Sequence, residues 1–166
     1  GLKNIKQATH FFMGLSDIFN TLRTMSKFVI AKIQGKVVGG GVGLVAACDY
    51  AIAHQDASIK LSELSIGIGP YVIEPVVSRR VGNTAFSQMS IDAENWKNAK
   101  WATDKGLYAD MVTNHDELNN RVNEIAERIS KYSPSAVKKL KKLHWQNTEH
   151  WEILLPKNAK ITAKLI

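Results

Sequence analysis

The stretch that decides the fold reads Lys32-Ile-Gln-Gly-Lys-Val-Val-Gly-Gly-Gly-Val-Gly-Leu-Val-Ala-Ala-Cys-Asp49. Aliphatic residues before the glycines predict a strand, and the small apolar residues 42–47 predict a short, fully buried helix. Three adjacent glycines at this junction leave backbone N–H groups unshielded by side chains, and the helix adds the positive end of its dipole. Such a junction can bind an anion. The alternative is that the glycines only allow the strand and the helix to pack closely.

Two phosphate-binding motifs do not fit this junction. Gly39, Gly41 and Gly43 partly match a dinucleotide fingerprint, and Glu63 follows twenty residues after the last of them. The predicted helix, however, has only about six residues before Asp49, whereas a crossover connection needs at least about ten. A P-loop is excluded because no Gly-Lys-Ser or Gly-Lys-Thr follows the glycines.

A single carboxylate, Glu63, stands in the otherwise uncharged segment 61–70. The rest of that segment consists of aliphatic and turn residues. A carboxylate there either caps the next turn or lies in an apolar pocket, where desolvation raises its pKa into a range useful for proton transfer. The residues themselves leave both alternatives open.

The apolar spacing elsewhere predicts one α/β domain with strands early and helices late. A long helix is expected over residues 4–26, where apolar residues recur every three or four positions. Extended segments are expected over residues 28–33, 37–38, 49–53, 59–61 and 107–112. Further helices are expected over residues 71–81, ended by Gly82, and over residues 93–105, 116–132 and 135–146.

The chain carries 22 basic and 15 acidic side chains, a formal charge of +7. The excess is spread over both halves, whereas nucleic-acid-binding proteins concentrate it, so no nucleic-acid partner is expected. The one basic cluster is expected on the solvated face of an amphipathic helix, with an anionic ligand as the alternative. That cluster comprises Lys138, Lys139, Lys141 and Lys142.

Composition narrows the remaining classes of protein. With 45% hydrophobic residues the chain can form a core, which excludes intrinsic disorder. The uncharged residues 37–48 are too few to span a membrane, so no membrane partner is expected. Cys48 is the only cysteine, which fits a reducing compartment and predicts a cytoplasmic protein. The five histidines show no metal-ligand spacing, so no metal is expected.

Together these motifs resemble the enoyl-CoA hydratase/isomerase family, the crotonase superfamily, and are most similar to its enoyl-CoA and methylglutaconyl-CoA hydratases. Besides residues 32–49, the resemblance rests on Ala57-Ser-Ile-Lys-Leu-Ser-Glu63, Gly67-Ile-Gly-Pro70, Arg79-Arg-Val-Gly82 and Ala102-Thr-Asp-Lys-Gly-Leu-Tyr-Ala-Asp-Met-Val112. It implies a single crotonase-like α/β domain over residues 1–166, a β-β-α spiral. Residues 1–112 would hold the active site, and residues 113–166 would form a helical oligomerisation part. The family's N-terminal strands are expected to be partly missing, so that the chain looks truncated at its N-terminus.

The resemblance also implies roles for individual residues. The substrate would be a coenzyme A thioester, with no separate cofactor. The N–H group of Gly40 would donate to the thioester oxygen, and Glu63 would be the catalytic acid and base. The implied substrate-binding residues border the acyl pocket: Val38, Gly39, Gly41, Gly43, Leu61, Ser62, Ile66, Ile68 and Tyr71.

One departure from the family bears on the reaction. Hydratases of the family usually carry a second glutamate where this chain has Gly43, and Glu74 is the candidate second acid. The expected reaction is the addition of water to a 2-enoyl-CoA. A single glutamate also fits a Δ3-Δ2 enoyl-CoA isomerase, and a non-catalytic subunit or scaffold is the third alternative. By resemblance, the expected assembly is a homotrimer or hexamer.

Overall fold

The computed structural model describes all 166 residues, and its first element is the helix α1 (Ile5–Thr24). Asn4 begins this helix, because its side-chain oxygen accepts a hydrogen bond from the backbone N–H of Gln7 at 3.0 Å. One face of α1 is buried, and its residues recur every three or four positions. They are Ala8, Phe12, Ser16, Phe19, Asn20 and Arg23.

Six short strands form two three-stranded sheets. Their bounds are β1 (Ile30–Ile33), β2 (Lys36–Val38), β3 (Tyr50–His54), β4 (Ser58–Lys60), β5 (Lys97–Asn98) and β6 (Asp110–Val112). The first sheet has the order β1-β3-β6 and is parallel throughout. The second sheet has the order β2-β4-β5, in which β2 and β4 are parallel and β5 is antiparallel.

The parallel pair β2 and β4 positions the two segments that the sequence singled out. Val38 pairs with Lys60 in this ladder, and the N–H of Gly39 donates to the carbonyl of Lys60 at 2.9 Å. The carboxyl ends of parallel strands meet at the same edge of a sheet, where α/β proteins form their binding crevices. The glycine run, which follows β2, and the Glu63 segment, which follows β4, therefore begin at the same edge of the sheet.

The short helix α2 (Gly40–Ala47) starts directly from this edge. It has no polar side chain, and its residues 42, 43 and 45–47 are buried, so it lies inside the core rather than on the surface. Gly43 is held between Ile73 and Phe19, because a Cβ atom on Gly43 would come within 2.6 Å of both side chains. At this position the close-packing explanation of the glycines is the correct one.

Helices dominate the rest of the chain, apart from a 3₁₀ turn at Leu64–Ile66. They are α3 (Glu74–Ile91), α4 (Ala99–Asp104), α5 (His115–Ser130), α6 (Pro134–His144) and α7 (Trp151–Ala163). α7 packs along α1, where Arg23 forms an ion pair with Glu152 at 2.8 Å. No helix combines the length and the apolar character that crossing a membrane requires.

The predicted α/β class, with early strands and late helices, is confirmed. Gly82, with φ of +79°, ends the first part of α3 as predicted, and a second helical segment follows it and continues to Ile91. The helix predicted over residues 93–105 is wrong before residue 99, because Lys97 pairs with Ile59 in the second sheet. The pattern does not predict α7, since Pro156 lies inside it and proline normally breaks a helix.

The basic cluster on α6 brings another correction. Three of its lysines are exposed as predicted, but Lys141 is only 2% exposed, while the neighbouring Leu140 and Leu143 face outward. The cause is the buried carboxylate of Asp49, whose Oδ2 accepts from Lys141 Nζ at 2.6 Å. Lys141 Nζ also donates to the carbonyl of Lys27 at 3.0 Å. A buried charge needs a partner, and this need overrides the helical apolar pattern.

Both carboxylate oxygens of Asp49 accept hydrogen bonds, from groups in two other parts of the chain. Besides Lys141, the backbone N–H of Val29 donates to its Oδ2 at 2.8 Å. The indole N–H of Trp145 donates to its Oδ1, also at 2.8 Å. The network joins α6 to the loop that follows α2 and to the segment before β1.

Replacing Lys141 by alanine should leave the Asp49 carboxylate buried without its cationic partner. Because breaking a buried ion pair from one side is strongly destabilising, we expect the free energy of unfolding to fall by about 3 to 5 kcal/mol. Urea unfolding followed by circular dichroism measures this change. The matched control is Lys142→Ala on the exposed side of the same helix, which should change the value by less than about 0.5 kcal/mol. Equal effects of the two substitutions would contradict a structural role for the pair.

Candidate active site

A cavity of about 600 Å³ opens at the edge where β2 and β4 end. Its walls come from α1, the start of α2, the segment 62–73, α7 and both chain ends, and most of them are apolar. The lining residues are Leu2, Phe11, Phe12, Leu15, Val38, Gly39, Gly40, Gly41, Leu44, Ser62, Glu63, Ile66, Ile68, Gly69, Pro70, Val72, Ile73, Thr162 and Ile166. The glycine run and Glu63 therefore share one apolar cavity.

Gly39 makes the turn from β2 into α2 in a backbone conformation that favours glycine, with φ of +54°. It also lies against Glu63, since a Cβ atom on Gly39 would be 2.8 Å from Glu63 Oε1. Any side chain here would both strain the backbone and displace the carboxyl group. Gly39 is thus required by conformation and by space.

Gly40 and Gly41 form the first turn of α2 on the cavity wall. The N–H groups in the first turn of a helix have no acceptor within the helix, so they are available to an outside acceptor. A Cβ on Gly40 would lie 3.3 Å from Leu15 Cδ2, and one on Gly41 would lie 3.1 Å from Val37 Cγ1. The start of α2 thus offers bare backbone donors at the positive end of the helix dipole.

Glu63 is 8% exposed, and its Oε2 atom has no hydrogen-bond partner among the protein groups. Burial raises the pKa of this carboxyl above its ordinary value of 4.5, because the charged form loses its hydration. No backbone N–H group of the 3₁₀ turn that follows donates a hydrogen bond to this side chain. Of the two explanations that the sequence left open, the geometry favours a desolvated group over a cap.

No other ionisable side chain lines the cavity, whose remaining polar side chains are Ser62 and Thr162. Glu74 begins α3 and is not among the residues that line the cavity. Gly43 does not line it either, since α2 turns that position toward Ile73. The idea of Glu74 as a second acid in this cavity is therefore corrected.

Two more of the predicted binding residues lie outside the lining. Leu61 is buried in the main core with 1% exposure, one residue behind the wall that Ser62 forms. Tyr71 is 41% exposed, and its ring lies over Gly69 on the outer side of that loop. Tyr71 therefore does not line this cavity, contrary to the expectation that it borders the acyl pocket. The other predicted residues do line it: Val38, Gly39, Gly40, Gly41, Ser62, Glu63, Ile66 and Ile68.

Sequence reasoning missed the walls that α1 and α7 contribute. Phe11, Leu15 and Thr162 line the cavity although none of them lies near the glycine run in the chain. Phe11 carried a signal in the sequence, because it is a large apolar residue outside the periodic apolar stripe of the predicted helix. The structure leaves it 56% exposed. Nothing local marked Thr162, which reaches the cavity because α7 packs on α1.

The geometry suits acid/base chemistry on a ligand that carries a carbonyl group. Backbone donors next to Gly39 can stabilise negative charge on an oxygen, and Glu63 beside them can accept or give one proton. No group of three or more His, Cys, Asp or Glu side chains could hold a metal ion.

Comparisons with known proteins agree with this geometry. A family model described as enoyl-CoA hydratase/isomerase matches residues 2–162. The short-chain-enoyl-CoA hydratase of Clostridium acetobutylicum is 35% identical over 122 residues, which are 73% of this chain and 46% of the relative. The peroxisomal Delta(3,5)-Delta(2,4)-dienoyl-CoA isomerase of Arabidopsis thaliana is 34% identical over 115 residues, which are 67% of this chain and 40% of the relative.

The fold has close counterparts among solved structures. A crystal structure of an enoyl-CoA hydratase from Mycobacterium avium matches with a TM-score of 0.88 at 23% identity, covering 97% of this chain and 63% of that one. The predicted family resemblance and crotonase-type fold are confirmed. The chain spans less than half the length of the clostridial and plant relatives.

Replacing Glu63 by glutamine should increase the free energy of unfolding relative to the parent, and this increase should be larger at neutral pH than at acid pH. Because the folded pKa is raised, the Glu63 carboxyl does not destabilise the parent below pH 4.5, and it destabilises the parent increasingly as the pH rises toward the folded pKa. Each unit of difference between the folded and unfolded pKa lowers the free energy of unfolding by about 1.4 kcal/mol. Glutamine does not ionise, so the variant does not lose this stability. Urea unfolding of both proteins between about pH 4 and pH 8 measures it.

The control for this titration is Glu94→Gln, which alters an exposed carboxyl in a loop. Its stability difference from the parent should stay constant over the same pH range. A constant difference for Glu63→Gln as well would mean that the carboxyl is not desolvated.

Proposed function

Because the chain belongs to the enoyl-CoA hydratase/isomerase family, we propose that its cavity binds the acyl group of a coenzyme A thioester and that Glu63 transfers protons on that group. The observation that carries the proposal is the contact of the buried Glu63 carboxyl with Gly39, next to the bare N–H group of Gly40. A thioester carbonyl at the start of α2 would have its α carbon beside the carboxyl.

Under this proposal the N–H group of Gly40 stabilises the enolate oxygen. Removing a proton next to a thioester places negative charge on the carbonyl oxygen, and a donor aimed at that oxygen lowers the barrier as the charge develops. The dipole of α2 acts in the same direction. The apolar walls exclude water, which strengthens both effects.

Glu63 is proposed as the only acid and base of the reaction. Its raised pKa makes it a stronger base than an exposed glutamate, since the efficiency of general base catalysis increases with basicity near the working pH. No second acidic side chain lines the cavity, so in this proposal Glu63 both removes the proton and returns it.

Double-bond isomerisation fits a single carboxylate best. Glu63 would remove a proton from the α carbon of a 3-enoyl thioester, and the electron pair would move into the enolate. The same group would then return the proton to the γ carbon, which moves the double bond from β,γ to α,β. The reaction needs no water and no second acid.

Hydration of a 2-enoyl thioester is the second candidate. Ser62 and Thr162 line the cavity and carry hydroxyl groups that can accept a hydrogen bond from a water molecule. The Thr162 hydroxyl itself donates to the carbonyl of Asn158 at 3.1 Å. Glu63 would take a proton from this water while the water oxygen bonds to the β carbon. Glu63 would then deliver a proton to the α carbon. The name of the clostridial relative, a short-chain-enoyl-CoA hydratase, supports this alternative.

Subunit assembly belongs to the same proposal. Leu140 and Leu143 on α6 are 43% and 57% exposed, and Tyr132 before α6 is 53% exposed. We propose that residues 113–166 form subunit contacts of a homotrimer or hexamer through this exposed apolar surface.

Glu63→Gln should lower kcat by about 10² to 10⁴, because it removes the only general base while keeping the shape of the side chain. The assay uses the protein at its full natural length with a 3-enoyl-CoA and, separately, with a 2-enoyl-CoA. Absorbance of the conjugated thioester rises in isomerisation and falls in hydration, so its direction identifies the reaction. Glu74→Gln is the matched control and should retain activity.

If the unaltered protein converts neither thioester, or if Glu63→Gln leaves both rates unchanged, the proposal fails. The non-catalytic alternative, a subunit or scaffold, would then be favoured.

Gly40→Pro tests the backbone donor directly, since proline lacks an N–H group but fits the first position of a helix. We expect kcat to fall by about 10² to 10³, the usual effect of losing one oxyanion donor. Gly40→Ala keeps the N–H group, and its Cβ would lie 3.3 Å from the flexible end of Leu15, so it should retain most activity. Similar activity of the two variants would exclude Gly40 as the donor.

A further inference from the structure

The far end of α2 is held by one side chain from α3. Arg80 Nε donates to the carbonyl of Ala46 at 2.9 Å, and its Nη2 donates to the carbonyl of Cys48. The last carbonyl groups of a helix have no partner within the helix, so Arg80 satisfies groups that would otherwise be buried and unpaired. Its positive charge also lies at the negative end of the helix dipole.

Arg80 is itself fixed by the polar network around Asp49. Its guanidinium group lies 5.1 Å from the ring centre of Trp145, which donates its indole N–H to Asp49 at 2.8 Å. Asp49 in turn pairs with Lys141. The end of α2 is thus connected to α3 and α6 through partly or fully buried polar contacts.

The length of α2 makes this attachment important for the cavity. Its eight residues form about two turns, roughly 12 Å long, and so short a helix does not hold its conformation without tertiary contacts. Gly40 lies at the amino end of α2, and the carbonyl groups that Arg80 binds lie at its carboxyl end. If the carboxyl end of α2 moves, the whole helix changes its orientation, and the N–H group of Gly40 then points in a different direction relative to Glu63.

We infer that Arg80 is a positioning residue that, by binding the carboxyl end of α2, sets the direction of the Gly40 N–H group in the cavity. The inference rests on the proposed function for its effect on catalysis, but not for its effect on the backbone. Arg80 does not line the cavity and touches no reacting atom.

The adjacent Arg79 provides a matched control. Its Nη2 donates to the carbonyls of His144 and Gln146 at 2.9 and 3.0 Å, at the end of α6. It also lies over Trp145, at 5.8 Å from the ring centre. Arg79 thus makes the same kinds of contact for a helix that does not reach the cavity.

The first test observes the backbone without any reaction. The protein is labelled with ¹⁵N-glycine, which gives backbone amide signals from the ten glycines that follow Gly1. Arg80→Lys keeps the charge but lacks the planar fork that serves two carbonyls. We expect it to shift the signals of Gly40 and Gly41, while Arg79→Lys leaves them in place. Unshifted signals in Arg80→Lys would overturn the inference.

The second test separates positioning from general stability. In Arg80→Lys we expect kcat to fall by about 10- to 100-fold with little change in KM, because small misplacement of a catalytic group has effects of this size. Arg79→Lys should keep kcat within about twofold, even if both variants lower the melting temperature similarly. In Arg80→Ala, added guanidinium ion should restore part of kcat.

The outcomes distinguish this inference from the proposed function. If the Gly40 signal shifts but neither Glu63→Gln nor Arg80→Lys changes any thioester rate, the proposed function fails and the positioning of the backbone stands. If Glu63→Gln abolishes activity while Arg80→Lys changes kcat no more than Arg79→Lys does, Arg80 has only a structural role.

Discussion

The architecture around the cavity depends on one close approach, that of the Glu63 carboxyl group to the backbone of Gly39. Only glycine accommodates both the 2.8 Å separation from Glu63 Oε1 to the Cβ position and the positive φ. The parallel pairing of β2 with β4 produces this approach, because it ends both strands at the same edge. A sheet of another topology would have separated the carboxyl from the start of α2.

The two buried carboxyl groups, Asp49 and Glu63, have different surroundings, and these give the first a structural role and the second a chemical one. Asp49 accepts hydrogen bonds from Lys141, Trp145 and the backbone of Val29, so its charge is matched and it holds the fold together. Glu63 leaves one oxygen without a protein partner in an apolar cavity, which raises its pKa. The second arrangement lowers stability at neutral pH and keeps a proton acceptor available to a ligand.

The two carboxyl groups act on opposite ends of the same short helix. Asp49 and the side chains around it hold the carboxyl end of α2, and Glu63 faces the glycines at its amino end. The helix α2 has no polar side chain of its own, so none of its side chains can fix its orientation through hydrogen bonds. Its orientation is set by the packing of Gly43 on Ile73 and by the hydrogen bonds at its ends.

Local chemistry, and therefore the sequence by itself, determined the α/β class, the glycine turn, the unshielded amides of α2 and the isolated carboxylate of Glu63. Each of these follows from residue types within a few positions of one another. The tertiary structure alone decided that Lys141 is buried, since its partner Asp49 is 92 positions away. It also decided that α1 and α7 wall the cavity and that Glu74 stays outside it. Burial, and the pKa that follows from it, depend on neighbours that folding brings from distant parts of the chain.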